Sequence, residues 1–386
     1  MGLSDAQLGL LSGFSFALVY ITAGIPIAYW ADRTNRRNII AAALTVWSGM
    51  TALSGFAQNY TQLLLARIGV GIGEAGGSPP AHSMISDYYP PERRATALAI
   101  YSTGVHLAIL LGFVTGGVLS QMFGWRVAFF AVGIPGVLFA LVFFLTVREP
   151  QRGRWEAAAR DHKPGFGETL SVLSAFKSFR YIAIGAGLTA FAGYGNGNFA
   201  PSYLIRNHGF TVGEVGVLLA IAGGGGGMLG TFFGGYISDR LGAGDRRWYL
   251  WVPAIAGSIA LPLAFPYLLL DDTNVVVVAL FAVTMTSNAY LGSTLAVSHS
   301  LVPPATRAMT SAVLFFILNL IGLGLGPLTV GLLSDFLVPY FGNDSLRYAM
   351  LCVALLSSPA ILLYFLAAKH LPADLEKGRE MEKNRV

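Results

Sequence analysis

Arg67 and Glu74 are the side chains whose type and spacing point most directly to chemistry. They stand seven residues apart in YTQLLLARIGVGIGEAGGSPPAHSM, residues 60–84, a stretch otherwise of mostly apolar and small residues. Read as one membrane helix, that spacing is two turns, so the pair shares a face. A charge near the bilayer centre costs at least ~2.5–3.5 kcal/mol on insertion scales, which directs it to a bundle interior or a wet cavity. Apolar surroundings favour the neutral carboxyl, and a nearby guanidinium favours the carboxylate. A group balanced in this way is suited to taking up and releasing a proton. The plainer alternative is a structural ion pair between helices.

Gly71, Gly73 and Gly76 in the same stretch spell GxGxxG. That fingerprint binds dinucleotides only between a strand and a helix, and here it lies inside an apolar span. The glycines are expected to let helices or a substrate approach the backbone. Gly223 to Gly227 have no following Lys and are read the same way.

The elements that must position these residues follow from composition. Of 386 residues, 54% are hydrophobic and 12% charged, about half the charge of a soluble domain. This is an all-α polytopic membrane protein. The single cysteine, Cys352, excludes an internal disulfide and a multi-cysteine metal site; no metal and no cofactor is expected, and no cleavable leader. Eleven spans near the required ~20 residues are drawn at roughly 6–31, 38–57, 60–84, 95–119, 126–147, 178–205, 212–238, 249–270, 274–300, 308–336 and 346–370. They group as an N-terminal bundle at 1–147, a charged linker at 148–177, a C-terminal bundle at 178–370 and a tail at 371–386. One set of loops, with the tail, holds 21 of the 25 Lys and Arg. By the positive-inside rule that side is cytoplasmic, the C-terminus included. The net charge of +5 is therefore a topology signal and not a nucleic-acid footprint.

The chain repeats itself. AYWADRTNRRN at 28–38 returns as GYISDRLGAGDRRW at 235–248, and PPERRA at 90–95 returns as PPATRA at 303–308. Two tandem copies in parallel orientation are expected. Two spans precede Asp239 in the second copy, whereas one precedes Asp32 in the first. A five-plus-six arrangement is expected, with the first helix of a twelve-helix pair missing. In the cytoplasmic loops, Asp32, Arg33, Arg36, Arg37, Asp87 and Arg94, with Asp239 and Arg240 in the second copy, are expected to form ion pairs that latch the bundles in one state; positive-inside anchoring is the alternative.

These motifs resemble the major facilitator superfamily, whose loop between helices two and three reads G-x-x-x-D-R-x-G-R-R. Ala28 and Asn35 replace its glycines in the first copy, while Gly235, Asp239, Arg240 and Gly242 keep the pattern in the second. Arg67 with Gly71 resembles the family's fourth-helix R-x-x-x-G. Within it, LSDAQLGLLSGFSFALVY at 3–20, ADRTNRR at 31–37 and the stretch 67–95 resemble the spinster-type branch. The resemblance implies a proton-coupled secondary transporter working by alternating access. Its substrate would be an amphipathic, lipid-like or organic anion of the sphingosine-1-phosphate or lysolipid kind. It also implies a monomer in a bilayer, expected to be a bacterial inner membrane. An acidic residue of the family's first helix has no counterpart here. Lining is expected from His106, Phe191, Tyr194, Asn196, Asn198, Asn288, Tyr290 and Asn319, although any one of these is equally an interhelical hydrogen bond. The alternative is an organic-anion or drug exchanger coupled to protons. A membrane enzyme would need a nucleophile–base set or a metal cluster, and six scattered histidines do not supply one.

Overall fold

Polar caps at the ends of apolar runs set where the helices begin. The computed structural model describes the backbone of residues 2–152, 154, 165–303 and 306–383. Side chains at 25, 28, 32, 91, 92, 94–96, 99, 102, 103, 106, 308 and 381–383 also lie outside the description. Ser4 and Gln7 form a capping box at the start of α1 (5–33). Asn35 caps α2 (Arg36–Ser54) and Asn59 caps α3 (Tyr60–Ala75). Each side-chain oxygen takes one backbone N–H that the first turn leaves without a partner. Then follow α4 (Ser78–Tyr88), α5 (Pro91–Phe123), α6 (Trp125–Thr146), α7 (Phe166–Ser174) and α8 (Lys177–His208). Next come α9 (Val212–Gly242), α10 (Trp248–Leu269), α11 (Thr273–Ser287) and α12 (Leu291–Ser300). The chain ends with α13 (307–341), α14 (Ser345–Leu356) and α15 (Pro359–Lys383). Regular structure among the described residues is all helical.

The stretch 60–84, expected as one helix, is two. α3 stops at Ala75, and Gly76 and Gly77 turn the chain before α4. Pro79 and Pro80 are the reason: neither has an N–H to continue the ladder onto Ala75 and Gly76. The span at 274–300 breaks at the matching place, between α11 and α12. There the Thr284 carbonyl accepts both the Asn288 side-chain amide at 2.8 Å and the Asn288 backbone N–H at 3.2 Å, which closes the last turn of α11. The span 346–370 also breaks, before Pro359, and its second half runs on as helix to Lys383. Three π-helical segments interrupt α1, α9 and α13, at Leu10–Phe14, Ala220–Gly226 and Asn319–Leu325.

Two compact units divide the chain, the first being 1–161 with 210–220, the second 162–209 with 221–386. Unit 1 contains α1 to α6, five crossings when α3 and α4 count as one; α8 to α15 supply six to the second half of the chain. In unit 1 the GxGxxG glycines are packing residues. A Cβ on Gly73 would lie 2.5 Å from the Trp47 nitrogen, and one on Gly76 2.8 Å from the Ala43 Cβ; at Gly71 the nearest atom is the Phe16 carbonyl at 3.3 Å. Gly73→Ala must therefore push α3 off α2, at about 1–3 kcal/mol for overpacking, and Gly71→Ala less. Thermal midpoints of the two purified variants measure this, and equal midpoints would contradict it. The start of α9 is held against α5 in the same way, with the Gly213 N–H donating to Gln121 at 2.7 Å.

In unit 2, α8 runs through the core. Ile182, Ala186, Val313, Leu314, Tyr364 and Ala367 are buried together. Leu173 and Phe176 are also fully buried there, so the second half of the expected linker is part of this unit. Asp374 accepts the Ser178 N–H at 2.6 Å, which fastens the helical tail to the start of α8. At the end away from the basic loops, Arg347 pairs with Asp271 at 2.8 Å and Asn207 donates to Asp344 at 2.9 Å. His208 bonds the Tyr203 hydroxyl at 2.9 Å. Burial, and secondarily the Arg347 charge, holds the His208 imidazole below the ordinary range.

Candidate functional site

Arg67 and Glu74 both belong to α3 and lie on one face of it, as the spacing requires. Glu74 stands in the last turn, next to the break, and its carbonyl accepts the Gly77 N–H at 3.0 Å. Its side chain is exposed and that of Arg67 half-buried. Among the described residues no hydrogen bond or ion pair engages either one, so the structural ion pair is not what the geometry shows. The Arg67 guanidinium lies over the Phe16 ring, 5.6 Å from its centroid, and Phe16 stacks on Tyr20 at 5.9 Å. Gly71 lies between the two charges on that face, against Phe16. The arrangement is a half-buried cation and an exposed acid, neither of them bridged, on a helix with an aromatic wall.

The end of unit 1 that bears the basic loops carries a second cluster, and its centre is Arg36. This side chain is 2% exposed. It donates to Asp87 at 2.5 Å, Ser83 at 2.8 Å, Glu149 at 2.7 Å and the Pro150 carbonyl at 3.3 Å. Burial opposes its charge, and the hydrogen bonds it donates to Glu149 and Asp87 outweigh that and raise its pKa. Glu149 also accepts the Arg37 N–H at 2.9 Å. Arg152 donates to the carbonyls of Ala31 and Thr34, and the Tyr88 hydroxyl to that of Arg148. Residues 148–152 thus cross the end of unit 1 as a strap.

Other residues of the expected latch do different things. Arg33 stacks over Tyr29 at 3.5 Å, and Arg37 lies over Phe144 at 4.7 Å. In the second copy Asp239 accepts the Tyr249 hydroxyl at 2.7 Å, and Arg240 donates to the Tyr236 hydroxyl at 3.3 Å. The side chains of Asp32, Arg94 and His106 lie outside the described residues. The sequence signal for Glu149 is slight, an acid closing a span beside a basic loop in REP at 148–150.

Of the lining residues expected in unit 2, Tyr194 and Asn198 are exposed, and Asn196, Asn288, Tyr290 and Asn319 half-buried. Phe191 is 8% exposed. Its carbonyl would be 2.4 Å from a Cβ on Gly326, so it packs α8 on α13.

Known proteins place this geometry. The sequence model of the Major Facilitator Superfamily matches residues 1–327 and 182–385. An MFS-type efflux pump of Mycolicibacterium smegmatis is 34% identical over 97% of this chain and 86% of its own. The hexuronate transporter of Bacillus subtilis is 27% identical over 61% of this chain and 56% of its own. A crystal structure of a bacterial homolog to the human lysosomal transporter Spinster, inward-facing and unoccupied, superposes with a TM-score of 0.88 at 34% identity, over 96% of this chain and 91% of that one. A chain of apolar helices in tandem copies, matched along its whole length by this family, is an integral multi-pass membrane transporter and not an enzyme; it belongs to the Major Facilitator Superfamily.

Proposed function

We propose that this transporter moves an amphipathic, lipid-like or organic anion by alternating access, coupled to protons. Arg67 holds the anionic group of the substrate and Glu74 carries the proton. The observation that supports this is the pair of unbridged ionisable side chains on one face of α3. Keeping such groups in a membrane is costly, so they are functional by default. The aromatic wall of Phe16 and Tyr20 suits a greasy substrate. The Arg36 cluster, with Asp87 and Glu149, serves as a conformational brace on the cytoplasmic side. No cofactor beyond the proton is required. The protein works as a monomer in a bacterial inner membrane, with its C-terminus in the cytoplasm.

The likeness to a Spinster homolog supports a lipid-like substrate, and the likeness to a hexuronate transporter supports an organic anion exchanged for protons as the second reading. Counterflow in proteoliposomes tests both. Vesicles preloaded with unlabelled lysophosphatidate or hexuronate are given a labelled trace. Saturable overshoot with the lipid supports the first reading, and overshoot with hexuronate alone the second. No overshoot with either overturns both.

A further inference from the structure

Phe16 reaches α3 from α1, and both helices belong to unit 1. Its ring is seated on Gly71, where a Cβ would lie 3.4 Å and 3.7 Å from two of the ring carbons. Gly71 is four residues beyond Arg67 and three before Glu74, so on the helix surface it is the neighbour of both. The ring therefore stands on the stretch of α3 that separates the two charges.

The place of the ring is set from both sides along α1. The π-helical segment Leu10–Phe14 comes just before it, and the Ser15 hydroxyl donates to the Leu10 carbonyl at 2.7 Å across that wide turn. A wide turn shifts the phase of the residues that follow, and such segments gather at functional sites. One turn further on, Tyr20 stacks on Phe16 with the two rings 18° from parallel.

An arginine left to itself rotates freely, and a ligand that must order it loses affinity. The Arg67 guanidinium, 5.6 Å from the Phe16 centroid, is within range of attraction to the ring face. That attraction holds the cation by its charge and spends none of its five N–H donors. A carboxylate in the same place would hold it more tightly and would use those donors. A leucine would fill the space and attract no cation.

We propose that Phe16 is a positioning residue for the anion: its ring orders the Arg67 guanidinium, keeps it apart from Glu74 and leaves its N–H donors to the substrate. The proposal rests on the reading of Arg67 as the partner of the anion, and it gives Phe16 a task distinct from lining a greasy cavity.

The test compares two labelled probes, 1-oleoyl lysophosphatidate and 1-oleoylglycerol, which has the same acyl chain and no phosphate. Binding is measured by scintillation proximity on the purified full chain in detergent. The parent is expected to prefer the phosphate-bearing lipid about ten- to a hundredfold, the worth of hydrogen bonds to a charged group. Phe16→Leu should cut that preference about two- to tenfold, the worth of ordering one long side chain, and leave binding of 1-oleoylglycerol unchanged. Fluorinating the Phe16 ring, by incorporating a trifluorinated phenylalanine, keeps its shape and weakens its hold on a cation. It should lower the preference in the same direction without disturbing the fold. In an Arg67→Ala background Phe16→Leu should have no further effect on the preference. A preference that survives ring fluorination intact, or one that Phe16→Leu lowers as much without Arg67 as with it, overturns the positioning role and leaves the reading of Arg67 standing. Equal loss of both lipids in Phe16→Leu makes the ring a wall for the acyl chain and overturns the role too. A parent that binds both lipids alike, or binds neither, overturns the reading of Arg67, and the proposal with it.

Discussion

Arg36→Ala is expected to cost unit 1 about 3–5 kcal/mol, the usual effect of removing one partner from a buried ion pair. The guanidinium is 2% exposed and bonds two carboxylates, a hydroxyl and a carbonyl. Without it Asp87, 7% exposed, loses its guanidinium partner where little water can replace it. Glu149 loses the anchor that holds residues 148–152 across the end of the bundle. Arg36→Lys should recover only part of the loss, because an ammonium is a point charge and cannot bridge both acids and Pro150 as a planar fork does. The effect should persist in high salt, since buried pairs are screened far less than surface ones. Thermal unfolding of the purified protein at low and high salt measures it. An Arg36→Ala midpoint equal to that of the parent would show that the cluster is not a brace. In the matching loop of the second copy the exposed Arg247 pairs with its neighbour Asp245 at 2.8 Å, so Arg247→Ala should change stability little, as surface pairs do.

That contrast shows what the sequence could and could not reveal. The repeat pairs the two basic loops, and hydropathy marks the spans, because these are one-dimensional signals. The partners of Arg36 are three-dimensional. Glu149 lies 113 residues away, and nothing in REP distinguishes a buried acid from a solvated one. The repeat also suggested that both copies latch alike, whereas only the first buries its arginine. The break after Ala75 was legible in Pro79-Pro80, but the hydropathy of the run concealed it.

Glu74→Gln is expected to abolish accumulation driven by a pH gradient while leaving exchange without a gradient. The amide keeps the size of the carboxyl and cannot titrate. A carboxyl that carries the proton must be neutral in one access state and ionised in the other, and three features of its place serve that cycle. It is exposed, so water can reach it. It stands in the last turn of α3, where the free carbonyls of a helix end disfavour a negative charge. Arg67 two turns back favours the ion, so binding of an anion to Arg67 withdraws that support and couples substrate to proton. Arg67→Ala should do more damage, reducing both driven uptake and exchange by about ten- to a hundredfold, the worth of a hydrogen bond to a charged group. Arg67→Lys should fall between, since Lys offers no bidentate grip on phosphate or carboxylate. The measurement is uptake into proteoliposomes with and without an imposed gradient for the parent and the three variants, at matched insertion. Full gradient-driven accumulation by Glu74→Gln would place the coupled proton on another residue, and equal exchange by Arg67→Ala and the parent would remove Arg67 from substrate binding.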